Sequence, residues 1–211
     1  MSNFFKRTIT GCLFVIVLIG CTVISQYTLA ALFFLVTILG LWEFYSLAEK
    51  QPENRSQKLY GILLGATIYI LSTTYLFNII PARSFVLIVP LVFFVFIREL
   101  FLKHTFPFRN IAYTLLGLIY VAVPLSLINY IGVDPETKEY QSHYILGIYF
   151  ILWANDTGAY LVESKIGKTN LLERVSPGKT WEGSIGGALL SFAVAYIISL
   201  YFSDAFIITF D

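Results

Sequence analysis

The sequence predicts an all-α integral membrane protein with about seven transmembrane helices and its N-terminus in the cytoplasm. Apolar residues make up 57% of the 211 residues and charged residues only 13%, about half the share that is usual in a soluble domain. The apolar residues also come in long runs, near the roughly 20 residues that a helix needs to cross the hydrocarbon core. Finally, lysine and arginine concentrate on alternate connections between these runs, which orients the chain.

Seven apolar runs have the length of a spanning helix. The first two are separated by almost nothing, so we expect them to form a tight helical hairpin. The predicted spans are 8–25, 27–47, 59–80, 85–102, 111–131, 144–162 and 185–202.

The placement of positive charge sets the predicted orientation. With the N-terminus in the cytoplasm, Arg83 and Lys138 are the two basic residues on the outer side. The other twelve lie at cytoplasmic ends and connections: Lys6, Arg7, Lys50, Arg55, Lys58, Arg98, Lys103, Arg109, Lys165, Lys168, Arg174 and Lys179. This asymmetry places the connection after the sixth span, residues 163–184, in the cytoplasm, where nucleotides are found.

The sixth span carries a carboxylate. Asp156 is predicted to lie about six residues, or roughly 9 Å, inside the cytoplasmic end, facing the bundle interior or a wet cavity, because a charge at that depth is costly. Tyr160 and Glu163 follow at helical spacing on the same face, and Gly158 allows a neighbouring helix to approach. The alternative is a buried Asp–Lys pair that only fixes packing.

The connection that follows is basic and contains glycines. Lys168 and Lys179 each follow a glycine, so ammonium groups and accessible amides occur together. The next helix is predicted to begin near residues 180–184, and unpaired N–H groups at a helix start suit a phosphate. The alternative is that these lysines only obey the positive-inside rule, which is the reading that we favour for Lys165.

Residues 153–187 resemble the phosphatidate cytidylyltransferase (CDP-diacylglycerol synthase) family, with the order and spacing of its central pattern. That pattern is an Asp followed by Gly-Ala-Tyr, a Gly-Lys stretch, Ser-Pro-x-Lys-Thr-x-Glu-Gly and a glycine pair. The matching residues are Asp156, Gly158-Ala159-Tyr160, Gly167-Lys168, the run from Ser176 to Gly183, and Gly186-Gly187.

The resemblance implies that CTP and phosphatidate give CDP-diacylglycerol and diphosphate, with Mg²⁺ as cofactor and a second cation as an open alternative. It implies a catalytic role for Asp156, Lys179 and Glu182, of which Asp156 and Glu182 would hold metal. Binding of CTP and its phosphates would fall to Lys168, Ser176, Thr180, Gly183 and Tyr160. It further implies a multi-pass protein of the inner (plasma) membrane with its active-site loop in the cytoplasm, a homodimer, and no nucleic acid partner.

On this reading, 1–143 holds about five N-terminal spans, and 144–211 begins a catalytic membrane region with a cytoplasmic loop at 163–184. The family closes with a signature of Lys-Asp, His-Gly-Gly and Asp-Arg that has no counterpart here, since no histidine follows His143. We therefore expect either a truncated product or incomplete catalytic machinery. Three alternatives stay open: a related lipid-nucleotide transferase or polyprenol kinase, a multi-span transporter that uses Asp156 as a ligand, and an inactive truncated remnant.

Overall fold

The computed structural model describes residues 3–51, 53–134, 136–174 and 176–201. The chain divides into two compact units, unit 1 (Met1–Tyr140) and unit 2 (Gln141–Asp211). Unit 1 contains α1 (Asn3–Ile24), α2 (Gln26–Ala48), α3 (Lys58–Leu76), a 3-10 helix (Ala82–Leu87), α4 (Ile88–Leu102), α5 (Pro107–Gly117), a π turn (Leu118–Ala122) and α6 (Val123–Ile131). Unit 2 contains α7 (Ser142–Ile166), β1 (Asn170–Leu172), β2 (Ser176–Thr180) and α8 (Trp181–Tyr201).

The structure confirms the all-helical membrane architecture. Within the described ranges, six helical segments are long and apolar enough to cross a bilayer, and the apolar part of the first helix, Thr8–Ile24, is shorter. Residue 202, the last of the seventh predicted span, lies outside the described residues. The six segments are Gln26–Ala48, Lys58–Leu76, Ala82–Leu102, Pro107–Ile131, Ser142–Ile166 and Trp181–Leu200.

The first two helices are joined by one residue. Ser25 has an extended backbone and its hydroxyl accepts a hydrogen bond from the Thr28 N–H at 3.2 Å. The Thr28 hydroxyl in turn accepts from the Ser25 N–H at 3.1 Å and donates to the Cys21 carbonyl at 2.6 Å. This reciprocal cap satisfies the polar groups that are freed where one helix ends and the next begins, so a single residue suffices as the connection.

The fifth span departs from a plain α-helix. Between α5 and α6 the chain makes a π turn, Leu118–Ala122, just before Pro124. Proline has no N–H with which to continue the helical ladder, and a π turn changes the register at that point. The hydropathy of the sequence carries no signal for this change.

Tyr45 locks this irregular span to the helices beside it. Its side chain is fully buried, and its hydroxyl donates to the Thr114 carbonyl at 2.8 Å, one turn before the π turn. A Cβ added at Gly61 or at Gly117 would lie 2.6 Å from the Tyr45 ring. The two glycines therefore admit an aromatic side chain between backbones in the middle of unit 1.

We predict that Tyr45→Phe destabilises the protein by about 1–3 kcal/mol, because it leaves the buried Thr114 carbonyl without this donor. The measurement is the thermal unfolding midpoint in detergent. Tyr27→Phe is the control, since the Tyr27 side chain is 62% exposed. Equal midpoints for the two variants would contradict the structural role of the Tyr45 hydroxyl.

Candidate functional site

The sequence-predicted site lies on one continuous piece of unit 2, from α7 through the two strands to the start of α8. The strands pair antiparallel, with Asn170 opposite Thr180 and Leu172 opposite Ser176. The Trp181 N–H donates to the Thr169 carbonyl at 2.9 Å, which closes the sheet against the first residue of α8. These backbone bonds give the connection a fixed shape.

Within the connection predicted at 163–184 the structure shows regular elements that the sequence did not predict. Residues 163–166 are the last turn of α7, 170–172 and 176–180 form the sheet, and α8 begins at Trp181, within the predicted range for a helix start. The helix outlasts its apolar run because Glu163 and Lys165 are good helix formers whatever their polarity. The strands were missed because they are short and the second contains proline and glycine, which are unfavourable in strands.

Small residues bring α7 and α8 into close contact, as predicted for Gly158. A Cβ at Gly158 would lie 2.8 Å from the Gly186 carbonyl oxygen and 3.1 Å from the Gly187 Cα. A Cβ at Gly187 would lie 2.7 Å from the Asn155 carbonyl oxygen. Gly158, Gly186 and Gly187, which belong to the family pattern, therefore allow the backbones of α7 and α8 to cross in direct contact.

Thr180 is the N-cap of α8. Its hydroxyl accepts from the Gly183 N–H at 3.1 Å, the usual bond between an N-cap side chain and the third helical residue. The Thr180 N–H donates to the Glu163 carboxylate at 3.2 Å, and a Cβ at Gly183 would overlap the Glu163 side chain. The negative charge of the Glu163 carboxylate interacts favourably with the positive end of the α8 helix dipole.

Glu182 holds the chain between α7 and β1. One carboxylate oxygen accepts from the backbone N–H groups of Lys168, at 3.4 Å, and Thr169, at 3.2 Å, and the other accepts from the Thr169 hydroxyl at 2.8 Å. The side chain predicted to be catalytic and metal-binding is thus used to position the Lys168 backbone.

The structure brings six of the predicted site residues together at the hairpin and the first turn of α8. Lys168 and Lys179 are exposed, and in the described part of the chain neither ammonium group takes part in an ion pair or a hydrogen bond. The six are Lys168, Ser176, Lys179, Thr180, Glu182 and Gly183. The two lysines therefore lie at the helix N-terminus together with the Glu163 and Glu182 carboxylates.

Asp156 and Tyr160 lie further back on α7. Their side chains are exposed in unit 2, and 70% of Tyr160 is accessible. The expectation that Asp156 faces an interior or a cavity is not met by this unit alone. Because α7 is one helix from Ser142 to Ile166, Asp156, Tyr160 and Glu163 do share one face, as predicted.

Glu163 and Thr169 were missing from the predicted site. Glu163 anchors the cap of α8, and Thr169 binds Glu182 through both its N–H and its hydroxyl. The available signal for Glu163 was its helical spacing from Asp156. The partner of Thr169 is 13 residues away along the chain, a contact that no local pattern reveals.

A metal site is not completed by the described carboxylates. Among residues 3–51, 53–134, 136–174 and 176–201, no three His, Cys, Asp or Glu side chains are grouped so that they could hold an ion. Of the two predicted ligands, Glu182 already accepts three hydrogen bonds. Because Mg²⁺ in proteins is usually held by one or two carboxylates together with waters and substrate phosphates, the role of Asp156 and Glu182 as its ligands stays a prediction.

We predict that Glu182→Ala loosens the segment at Lys168 and raises tryptic cleavage after Lys168 roughly tenfold, the factor for about one net hydrogen bond. Glu173→Ala is the matched control, since Glu173 lies exposed in the turn between the strands. Cleavage can be followed by mass spectrometry of the purified protein in detergent. Equal cleavage rates in the two variants would show that Glu182 does not position this segment.

Comparison with known proteins gives a consistent picture. The sequence model described as "Cytidylyltransferase family" matches residues 5–211. A phosphatidate cytidylyltransferase of Bacillus subtilis (strain 168) is 26% identical over 203 residues, which cover 95% of this chain and 73% of that protein.

Shorter and more similar alignments occur with staphylococcal proteins of the same name. The Staphylococcus aureus (strain COL) protein is 38% identical over 102 residues, 48% of this chain. The Staphylococcus saprophyticus protein is 32% identical over 99 residues, 47% of this chain. In both cases the chain spans 36% of the relative's length. No solved structure matches the chain.

Proposed function

The chain belongs to the cytidylyltransferase family, and we propose that it transfers a cytidylyl group from CTP to phosphatidate, giving CDP-diacylglycerol and diphosphate. The observation that carries the proposal is the pair of exposed lysines beside the capped N-terminus of α8, in a membrane protein whose relatives are named phosphatidate cytidylyltransferases. The same names give no support to a transporter.

The proposed reaction depends more on positioning the two substrates than on a general base. The attacking group is a lipid phosphate, an anionic oxygen that is already nucleophilic, and the difficulty is to bring two polyanions together and to stabilise the departing diphosphate. Lys168 and Lys179 would neutralise the triphosphate, while the Trp181 and Gly183 N–H groups of the first turn of α8 are already bonded within the protein. Ser176 would add a hydroxyl donor from the start of β2.

Other residues of the motif hold these groups in place. Glu163 and Thr180 fix the start of α8, and Glu182 fixes Lys168. Asp156 would orient the reacting groups from α7, with Tyr160 one turn further along the same face contributing to the nucleotide contact. The crossing at Gly158 sets the spacing between α7 and α8.

Magnesium remains part of the proposal as a requirement of the reaction. It would screen the charge of the triphosphate and the departing diphosphate. Asp156 and Glu182 would hold the ion, together with water and the phosphates of the substrates. A multi-pass location in the inner membrane, with the hairpin in the cytoplasm, and a homodimer are likewise proposed.

The decisive experiment is diphosphate release from CTP by the purified chain in detergent, with and without phosphatidate and with and without Mg²⁺. We expect release only when all three are present. If the chain alone is inactive, the same assay is repeated after the closing segment of the Bacillus subtilis relative is joined to its C-terminus. No release from either protein would overturn the proposed function.

A further inference from the structure

Unit 1 contains a second cluster of positive charge, in an open pocket of about 560 Å³. The pocket lies where the connection between α2 and α3 meets the connection between α4 and α5. Its lining residues are Glu53, Arg55, Lys103, His104, Thr105 and Phe106. None of them belongs to the motif that supports the proposed function.

The charges of this pocket do not cancel one another. Its acidic residue, Glu53, is already bound by the Arg109 guanidinium at 2.9 Å. Arg55 and Lys103 are exposed, and the ion pairs found in the described ranges include neither of them. The pocket therefore presents two uncompensated cations to whatever occupies it.

A buried network holds the cationic side of the pocket. Glu99, only 2% exposed, accepts from the amide groups of Gln57 at 2.9 Å and Asn110 at 2.7 Å and pairs with His104 Nδ1 at 2.9 Å. Because three groups converge on this carboxylate, Nδ1 is the donor in that pair.

The same network fixes Arg55. Its backbone N–H donates to the side-chain oxygen of Asn110 at 2.8 Å, and Asn110 is fully buried. Asn110 thus links the Arg55 backbone to Glu99 and, through Glu99, to His104. Cations that merely obey the positive-inside rule do not need such a buried scaffold, which costs desolvation of every polar group in it.

Lys103 adds a strained backbone. It ends α4 in the left-handed conformation, with φ of 52° and ψ of 35°, a region that non-glycine residues adopt at a cost of about 1–2 kcal/mol. Glycine would occupy this position without that cost. The residue present instead is a lysine whose side chain lines the pocket.

Exposed phenylalanines occur in the chain segment that forms one side of the pocket. Phe106 lines the pocket and is 41% exposed, and Phe101 and Phe108 nearby along the chain are 80% and 85% exposed. In a membrane protein such side chains face acyl chains. We infer that this pocket binds the phosphate of an anionic phospholipid, with Arg55 and Lys103 on the headgroup and Phe106 beside the acyl chains.

The test uses the full chain in nanodiscs or detergent and counts retained phosphatidylglycerol by native mass spectrometry, with phosphatidylcholine as the zwitterionic comparison. We expect Arg55→Ala and Lys103→Gly each to weaken phosphatidylglycerol binding roughly fivefold, which corresponds to about 1 kcal/mol for a cation close to an anionic lipid surface. Lys50→Ala is the control, an exposed lysine that does not line the pocket.

Lys103→Gly separates binding from folding. A variant that loses lipid while its thermal unfolding midpoint stays equal or rises, because the left-handed strain is relieved, supports the inference. Unchanged phosphatidylglycerol retention in Lys103→Gly and Arg55→Ala would overturn it. Displacement of the lipid by an equal concentration of inorganic phosphate would also overturn it, because the pocket would then recognise free phosphate rather than a lipid.

Discussion

Gly158→Leu is expected to separate α7 from α8 and to destabilise the protein by about 3 kcal/mol or more. The first atom of the new side chain would meet the Gly186 carbonyl oxygen at 2.8 Å, the Leu190 Cβ at 2.9 Å and the Gly187 Cα at 3.1 Å. Two of these three atoms are backbone, so a change of rotamer cannot relieve the overlap. The helices would have to move apart, and the hairpin between them would lose its fixed ends.

The measurement is the thermal unfolding midpoint in detergent, together with diphosphate release. Gly11→Leu is the matched control, since it introduces the same side chain into a helix at a glycine with nothing within 4 Å, where leucine favours the helix. If Gly158→Leu unfolded at the same temperature as Gly11→Leu, the close crossing of α7 and α8 would be contradicted.

This crossing shows what local sequence patterns can predict. The apolar runs and their lengths predict the spanning helices, because burial in lipid depends on composition over about 20 residues. Gly158 predicts that some helix comes close, because it has no Cβ. The pattern does not identify Gly186 and Gly187 as the partners, since that depends on how the chain folds back over the 27 residues between Gly158 and Gly186.

The departures have the same origin. The apolar run of the sixth span ends near residue 162, but α7 continues to Ile166, where Glu163 reaches the cap of α8. Hydropathy marks where the side chains become polar, whereas the helix ends where its hydrogen bonds end. Similarly, the π turn precedes Pro124 and follows the Thr114 carbonyl that binds Tyr45. Tyr45 and Thr114 are 69 residues apart in the sequence, so no local pattern shows their contact.

Glu182 illustrates how one residue type can fit two roles. Its position in the motif predicts a catalytic carboxylate or a metal ligand, and a carboxylate is suited to both. In the structure, its carboxylate accepts hydrogen bonds from the backbone N–H groups of Lys168 and Thr169, just before β1. This is a positioning role. The sequence predicts that an acid is needed here, and only the three-dimensional arrangement shows which groups it serves.

The second large effect is expected for Lys179→Ala, measured in a protein that releases diphosphate. Lys179 lies exposed on β2, one residue before the N-cap of α8, where its charge and the helix N-terminus act on the same anion. Removal of one such electrostatic contact to a developing charge costs about 10²–10³ in turnover. We therefore expect kcat/KM to fall by that factor while the unfolding midpoint stays unchanged, since an exposed lysine contributes little to folding.

Two variants distinguish the role of Lys179 from that of general positive charge. Lys165→Ala removes an equally exposed lysine from the last turn of α7 and should leave turnover unchanged. Lys179→Arg retains the charge but changes its geometry, so it should recover part of the lost rate. Normal turnover in Lys179→Ala would contradict the role proposed for Lys179. Equal losses of turnover in Lys165→Ala and Lys179→Ala would show that only the summed charge of this region matters.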